Sequence, residues 1–355
     1  MSQPGTVALT VEHDGGSVQA VAFSPDSTLF ASGGSDSVLR VRSTVGGSDP
    51  PDASVDGSVV DIAFSPDGAQ FAVADFEQVV LRSTSTGSVV WQEPLAPGNS
   101  VNTVRFTPDG RLVATTDALV AVLDGATGTA TRQITVDKPL IADVDLSRDG
   151  ARVALAIDHR HGGDHQRAGS ARVLDLATGE EIGRLDPGDA VLAVAFSPDA
   201  KRVLCCAADD TTRMFEAEPG TQVWPAAGAV DETVTAPNCL AFDPKGLCVV
   251  VGGSDGFARV LEAASGKETG VAPNLAPDAP EPGAVTHVAF GPNGKVAASA
   301  CIDNVVRLFD MDGKEHYAVS TDEVLAMEFS PDGRWLGVGC FGRALLIDNG
   351  ELGQG

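Results

Sequence analysis

A short phrase that recurs eight times along the chain constrains its fold more than any other feature. The usual form is Phe-Ser-Pro-Asp-Gly, and neighbouring copies start 39 to 50 residues apart. The copies begin at Phe23, Phe64, Phe106, Leu146, Phe196, Phe242, Phe290 and Phe329. Self-similarity at such a period predicts a repeat architecture, in which every repeat is one supersecondary unit.

Each copy divides into four short runs that have the pattern of strands. An alternating apolar run such as 18–23 leads into the phrase, where proline sets φ and glycine accepts positive φ, so that Pro-Asp-Gly forms a β-turn. A second run follows, and then a tight polar turn that often contains Asp, as at Asp36 and Asp303. A third run and a glycine turn precede the fourth. Four short strands in every ~40 residues predict the blades of an all-β propeller.

The repeats resemble those of the WD-repeat β-propeller family over nearly the whole chain. The Trp of the family's Trp-Asp pair is replaced, and of the Gly-His pair that opens a typical repeat only His13 stands near its place. The replacing residues are Leu123, Leu174, Phe215, Leu261, Phe309 and Ile347. Since the family's His-Ser-Asp-Trp hydrogen-bond set cannot form complete, we expect apolar packing and strand ladders to hold the blades together.

The eight copies predict eight four-stranded blades in one domain that spans residues 1–355. The last copy ends after its third run at Asp348, whereas the run 7–11 precedes the first copy and has no place in it. We expect 7–11 to serve as the outer strand of the last blade, because this arrangement closes the ring and removes an open sheet edge. The alternative is a seven-bladed ring with one copy outside it.

Composition excludes several classes of partner. The formal charge of −25 and the pI near 4.4 argue against nucleic acid and anionic membranes as partners, since both would repel the chain. No run approaches the ~20 apolar residues of a membrane helix, and the amino terminus has no signal-peptide pattern. The six cysteines lack zinc-site spacing and lie in apolar runs, which predicts reduced thiols. We expect a cytoplasmic monomer without a cofactor.

The first strands of the blades are expected to line the central channel, and some of them carry charged or titratable residues. These are Asp61, Arg105, Asp143, Asp145, His287 and Glu328. Because an unpaired buried charge is costly, we expect ion pairs between blades, and in particular a pair of Arg105 with Asp145 or Asp143. A polar channel site for a small ligand or a metal is the alternative.

Two further groups of polar residues repeat or cluster. Five third strands share an arginine, which we expect to pair with acids on a neighbouring strand or blade; these are Arg40, Arg172, Arg213, Arg259 and Arg307. In the fourth copy, His159, His161 and His165 lie in one enlarged, glycine-containing turn. Imidazoles can bind zinc, nickel or copper, but the short spacing and the glycines favour a mobile loop without metal.

The turns between the second and third strands, called here the 2–3 turns, contain an unexpected residue type. Three of them carry Phe76, Phe257 or Phe341 where polar residues are usual. An exposed phenylalanine does nothing evident for a turn, so a recognition role is one interpretation. Its polar rim would comprise Asp75, Glu77, Asp255 and Arg343. The alternative is that each ring folds back and fills the space between two blades.

The resemblance to the WD-repeat family implies a function, which the residues alone do not show. It implies a non-enzymatic platform that binds another protein or a peptide. The alternative is a propeller enzyme, similar to propeller lactonases and hydrolases, or a small-ligand binder, with its site at the mouth of the channel. Either alternative would use the charged residues of the first strands.

Overall fold

The computed structural model describes residues 4–95, 100–136, 140–158, 169–224, 237–273 and 283–352. Within these ranges every regular element is a strand, and no helix is long and apolar enough to cross a membrane. The chain forms two compact units. Unit 1 consists of 1–136 and 322–355, and unit 2 consists of 137–321. Whether they act as the single domain expected above stays a prediction.

Unit 1 contains three antiparallel sheets. The first joins, in spatial order, β28 (Val324–Phe329), β29 (Trp335–Asp348), β1 (Thr6–Phe23), β2 (Leu29–Gly34), β3 (Val38–Ser43) and β4 (Ala53–Ser54). The second consists of β5 (Val59–Phe64), β6 (Gln70–Asp75), β7 (Gln78–Ser83) and β8 (Val89–Pro94). The third consists of β9 (Val101–Phe106), β10 (Leu112–Thr116), β11 (Leu119–Leu123) and β12 (Ala130–Thr135).

Unit 2 contains four sheets with the same meander order. The first has β13 (Leu140–Leu146), β14 (Arg152–Asp158), β15 (Ser170–Asp175) and β16 (Glu181–Leu185). The second has three strands in the described residues, β17 (Val191–Phe196), β18 (Arg202–Ala207) and β19 (Thr212–Glu216). The third has β20 (Pro237–Phe242), β21 (Cys248–Gly253), β22 (Phe257–Glu262) and β23 (Glu268–Pro273). The fourth has β24 (Val285–Phe290), β25 (Val296–Cys301), β26 (Val305–Asp310) and β27 (Glu315–Ser320).

The fold is an all-β propeller with four-stranded blades, as the repeat predicted, but the number of blades differs. The seven sheets formed by the described residues match the seven-bladed alternative, and the prediction of eight blades is not supported. The reason lies in β1, which pairs with β29 over 6–17 and with β2 over 18–23. The last and first copies of the phrase therefore share one hydrogen-bonded sheet instead of forming two separate ones.

The expected pairing of the amino-terminal run is confirmed. Thr6 lies opposite Asp348 and Glu12 opposite Arg343, so the run is antiparallel to the second half of β29. β29 itself turns back near Gly342, whose φ is +81°. The N–H of Asn349 donates to the carbonyl of Arg334 at 2.8 Å, which closes this turned-back strand at its ends.

The recurring phrase folds into one hydrogen-bonded turn. In the first copy the hydroxyl of Ser24 donates to Asp26 at 2.6 Å and accepts the N–H of Leu29 at 2.9 Å. The hydrogen bond from Ser24 is the main cause that lowers the pKa of Asp26. Equivalent Ser-to-Asp bonds of 2.6 to 2.7 Å occur at Ser65, Ser147, Ser197 and Ser330. The aspartates of the phrase therefore stabilise turns.

Apolar packing between strands replaces the missing tryptophans, as expected. The residues in the tryptophan position are all buried, with exposed fractions from 0% to 9%: Leu123, Leu174, Phe215, Leu261, Phe309 and Ile347. No disulfide links the six cysteines. Burial raises the pKa of Cys239 to about 12, so this thiol stays protonated and behaves as a small apolar side chain.

A pair of matched substitutions tests the closing strand. Val11 is 4% exposed and packs with Ala344 and Leu346, whereas Val7 in the same run is 41% exposed. Val11→Ala should lower the free energy of unfolding by about 2 kcal/mol because it leaves a cavity. Val7→Ala is the control and should cost less than half as much. Deletion of 1–12 should lower the melting temperature by several degrees, and an unchanged thermal melt would contradict the pairing.

Candidate functional site

Two of the three phenylalanines in the 2–3 turns project into solvent. Phe76 lies between β6 and β7 and is 55% exposed, and Phe341 lies at the turn within β29 and is 56% exposed. Neither ring therefore fills the space between two blades. Phe257, in unit 2, is half-buried, and the guanidinium of Arg259 lies 5.2 Å from its ring centroid. Recognition by exposed rings is thus open to Phe76 and Phe341, while Phe257 is partly covered.

The backbone of Phe76 is in a conformation that a bulky residue seldom adopts. Its φ is +43°, in the left-handed region, which costs a side chain with a Cβ about 1–2 kcal/mol. The other 2–3 turns with positive φ have small or polar residues there: Ser37, Asp210, Gly256, Asn304 and Gly342. An aromatic residue that is both strained and exposed gives the turn no stability, and residues of this kind cluster at functional sites.

The predicted polar rim is mostly engaged within the protein. Asp75 is buried and accepts hydrogen bonds from the N–H of Asp56 and the amide of Gln78, both at 3.2 Å. Arg343 pairs with Asp322 at 2.7 Å. Asp255 pairs with Arg259 at 2.6 Å, and Glu77 is exposed. The rim assignment is therefore wrong for Asp75, whose carboxylate orders the chain beneath Phe76.

Contacts within unit 1 connect Phe341 to Phe76 through one surface. Phe341 lies opposite Ser17, whose carbonyl accepts the N–H of Ser35 at 3.0 Å. The carbonyl of Ser37 then accepts the N–H of Val55 at 3.0 Å. Asp56 follows and is bonded to Asp75, directly before Phe76. We call these residues, from Phe341 through 17, 35–37 and 55–57 to Phe76, the aromatic turn surface.

Sequence reasoning missed one exposed apolar residue of the same kind. Ile302 is 62% exposed in the 2–3 turn between β25 and β26 of unit 2. Its signal is present in the sequence, since Ile302 directly precedes the turn aspartate Asp303. Val45 and Leu247 are 68% and 64% exposed. Leu247 directly follows a copy of the phrase and Val45 lies beyond β3, so both lie at the other ends of the strands.

An aspartate of the turn and the arginine four residues later hold several 2–3 turns together. The pairs are Asp36–Arg40 at 2.6 Å, Asp209–Arg213 at 2.7 Å, Asp255–Arg259 at 2.6 Å and Asp303–Arg307 at 2.7 Å. The expected acids on neighbouring strands are also present, at 3.4 to 3.6 Å from Arg172, Arg259 and Arg307. The arginines are therefore structural, but their closest partner in four cases belongs to the same hairpin.

The first copy contains most of the family's His-Ser-Asp-Trp hydrogen-bond set, which the sequence predicted could not form complete. His13 Nε2 lies 2.9 Å from Ser32 Oγ, and His13 Nδ1 lies 3.1 Å from Asp36 Oδ2. Burial is the main cause that lowers the pKa of His13. Burial alone would raise the pKa of Asp36. The hydrogen bonds from Arg40 and His13 outweigh burial, so the pKa of Asp36 is lowered. This network supports the turn 35–37 in the middle of the aromatic turn surface.

The lowered pKa of His13 predicts a pH dependence of stability. The unfolded chain binds a proton near the ordinary histidine value of 6.5, whereas the folded protein does so only at lower pH. Stability should therefore fall as the pH drops below about 6.5. Urea unfolding as a function of pH measures this loss. His13→Gln should abolish this part of the dependence; an identical slope in the variant would contradict the assignment.

Aspartates on the first strands of the blades, called here the inner strands, bind the backbone of the first strand in the next blade. The carboxylate of Asp61 on β5 accepts the N–H of Val104 on β9 at 2.9 Å. In unit 2 the equivalent Asp143 on β13 accepts the N–H of Val194 on β17, also at 2.9 Å. Asp145 accepts the N–H of Phe196 at 2.7 Å. These carboxylates tie neighbouring blades together, which neither composition nor repeat period indicated.

Arg105 forms an ion pair between blades with Asp61. The sequence interpretation placed both residues in the channel but did not pair them. Asp143 and Asp145 belong to unit 2, and their pairing with Arg105 stays a prediction. His287 Nδ1 lies 3.1 Å from Thr286 Oγ1. Each of these groups has a hydrogen-bonding partner within its own unit, which favours the structural interpretation of the inner strands.

Glu328, like Asp61, is an inner-strand carboxyl whose pKa is raised. Solvent reaches its side chain, yet the surrounding protein excludes enough water to raise the pKa of Glu328 to about 7; Arg105 opposes the shift and Asp61 adds to it. No group of three or more His, Cys, Asp or Glu in the described ranges is placed to hold a metal. His159, His161 and His165 lie outside those ranges, and the mobile, metal-free loop stays a prediction.

Arg105→Ala tests the inner-strand pair. A dry pair would lose about 3–5 kcal/mol, but the Arg105 side chain is 50% exposed, so we expect a loss of about 1 kcal/mol at neutral pH. Burial raises the pKa of Asp61, and Arg105 counters this shift. Without Arg105 the pKa rises further, so the loss should shrink as the pH falls toward it. The loss should also be smaller in an Asp61→Asn background, and additivity of the two changes would exclude the pair.

Comparison with known proteins agrees with this geometry. The family model described as WD domain, G-beta repeat, matches residues 5–43, 179–216, 231–261 and 279–310. Together with the propeller fold, these matches confirm the resemblance to the WD-repeat family that the repeats indicated. No curated protein sequence matches the chain.

Solved structures show the same fold at low sequence identity. The computationally designed protein Ika8 has a TM-score of 0.78 and 20% identity, covering 97% of this chain and 100% of that chain. The Dos1 propeller has a TM-score of 0.78 and 13% identity, covering 98% and 95%. Sqt1 of Chaetomium thermophilum, solved with the N-terminus of the ribosomal protein L10, has a TM-score of 0.78 and 17% identity, covering 97% and 100%. At such identities the likeness shows the fold alone.

Proposed function

We propose that the chain is a non-enzymatic platform that binds another protein or a peptide through its aromatic turn surface. The WD repeats and the propeller neighbours support a protein-interaction propeller in general, since one of them was solved with a ribosomal protein segment. The observation that carries the finer proposal is the pair of exposed rings, Phe76 and Phe341. Aromatic residues, phenylalanine among them, are enriched in protein–protein interfaces relative to the rest of the protein surface.

The inner strands support a structural role better than a catalytic one. Asp61, Asp143 and Asp145 accept backbone N–H groups of the next blade, so moving a proton or a substrate onto them would cost those bonds. Glu328 is the inner-strand group whose raised pKa would suit acid–base chemistry. A catalytic role needs a second group that acts with Glu328, and Arg105 and Asp61 are already paired with each other.

Three properties support a monomer in the cytoplasm that avoids nucleic acid. The six thiols without a disulfide suit a reducing compartment. The net charge of −25 makes two copies repel each other and repels nucleic acid. The same charge favours partners that are neutral or basic.

Capture from extracts of the source cells tests the proposal. The double variant Phe76→Ser, Phe341→Ser should lose the proteins that the wild type retains. Its melting temperature should stay nearly unchanged, because exposed substitutions rarely cost more than about 0.5 kcal/mol and serine already occupies the equivalent turn position at Ser37. The matched control is Val45→Ser, Leu247→Ser, which removes two equally exposed apolar residues at the other strand ends.

The control should retain the same proteins as the wild type. Equal losses in both variants would mean that apolar exposure in general, and not this surface, captures proteins. A large fall in melting temperature of the phenylalanine variant would mean that the rings are part of the core. Either result overturns the proposal.

A further inference from the structure

We propose that the partner segment bound by the aromatic turn surface is cationic: an extended stretch of polypeptide that presents both apolar residues and lysine or arginine on one face. This inference rests on the proposed function and names the chemistry of the partner. Two independent features of unit 1 carry it, the exposed rings and the distribution of charge around them. A third feature of the chain, its total charge, disfavours a second copy as the occupant.

The rings supply two apolar anchor points on a surface that is otherwise built from small and polar residues. Between Phe341 and Phe76 lie Ser17, the turn 35–37 and the residues 55–57. A side chain on Gly57 would approach the Cβ of Phe76 to 3.1 Å. The backbone at 57 is thus free of a side chain directly beside the ring. An extended segment can therefore lie along this surface with its apolar side chains against the two rings.

Carboxylates surround both rings. Asp56 and Glu77 are exposed beside Phe76. Together with Gln78 and Pro94 they line a cleft there. Beside Phe341 the chain carries Asp322 and the exposed Glu323, whose carbonyl accepts the Phe341 N–H at 3.3 Å. An acidic residue therefore adjoins each apolar anchor.

The cations of this surface are already matched by acids. Arg343 pairs with Asp322 at 2.7 Å, and Arg40 pairs with Asp36 at 2.6 Å. Buried Arg82 adds one more positive charge, within electrostatic range of Asp75 and Asp56. Asp56, Asp75, Glu77 and Glu323 outnumber this one further cation, so the field around the rings is negative. A field of one sign attracts and orients a partner of the opposite sign.

The charge of the whole chain disfavours a homodimer through this surface. Each copy carries a formal charge of −25, and pairing two such surfaces would bring like charges together. A neutral apolar segment would satisfy the rings but leave the carboxylates to be desolvated without a partner, which is costly. A segment that presents both basic and apolar side chains on the face toward this surface satisfies both features. Strict alternation would not, since successive side chains of an extended chain point to opposite sides.

Fluorescence anisotropy with three labelled peptides of equal length tests the inference on the full chain. The peptides repeat two leucines followed by two lysines, two serines or two glutamates, so that both kinds of residue occur on each face of an extended chain. We expect saturable binding of the lysine peptide that weakens with added salt, weaker binding of the serine peptide, and no binding of the glutamate peptide. Phe76→Ser, Phe341→Ser should weaken binding of the lysine peptide by about tenfold or more.

A matched pair of charge variants separates a local effect from the general attraction of an acidic protein for a cation. Asp56→Asn, Glu77→Gln removes two carboxylates beside Phe76 and should weaken binding several-fold. Glu180→Gln, Asp312→Asn removes the same formal charge from exposed positions in unit 2 and should leave binding unchanged. Equal weakening by both pairs would overturn the proposal, because binding would then follow net charge and not this surface.

The outcomes also separate this inference from the proposed function. If the serine peptide binds as tightly as the lysine peptide and still requires both phenylalanines, the partner is not cationic while the docking surface stands. If binding of no peptide depends on the phenylalanines and capture from extracts does not either, both the inference and the proposed function fail.

Discussion

The pairing of the amino-terminal run with β29 is the interaction on which the rest of unit 1 depends. It brings residues 6–17 beside 341–348, although more than three hundred positions separate them in the sequence. The same strand continues into the first copy and pairs with β2. One continuous strand therefore joins the last copy to the first, which is why the eight copies produce seven sheets. It also places Phe341 next to Ser17 and so makes the aromatic turn surface possible.

Most polar residues of the repeats stabilise turns and strand contacts. The serine and aspartate of the phrase close one turn, and the aspartate and arginine of the 2–3 turn close the other. Inner-strand aspartates bridge to the backbone of the next blade. Hydrogen bonds from charged groups are stronger than those between neutral groups, so these contacts can compensate for the missing tryptophans. The positions left for recognition are those at which a turn carries a residue that does not help it fold.

Phe76 is such a position. The turn requires positive φ, which glycine, asparagine or serine would adopt at lower cost, and the residue present is both bulky and exposed. Its neighbour Asp75 is buried and orders residue 56 beneath it. A rigid base under an exposed ring reduces the entropy lost on binding. The geometry of this turn is thus suited to presenting a side chain rather than to stabilising the sheet.

The sequence by itself determined the repeat, the strand class, the turn chemistry and the place of the closing strand, because these follow from local patterns. The period of the phrase predicted blades, Pro-Asp-Gly predicted the turns, and the unassigned run 7–11 predicted the pairing with 345–347. Half of the recognition hypothesis was equally local, since Phe76 and Phe341 stand where polar residues are usual.

Only the tertiary structure decided the number of sheets and the partners of the charged residues. Nothing in the sequence pattern shows that β1 pairs with both β29 and β2 or that Arg105 pairs with Asp61. The pattern also does not show that Asp75 is buried while Glu77 is exposed. Those outcomes depend on which strands lie side by side and how far each side chain is from water. Hydrogen-bond partners and desolvation are properties of neighbours in space, and a repeat of about 40 residues gives every copy the same local pattern while leaving its neighbours undefined.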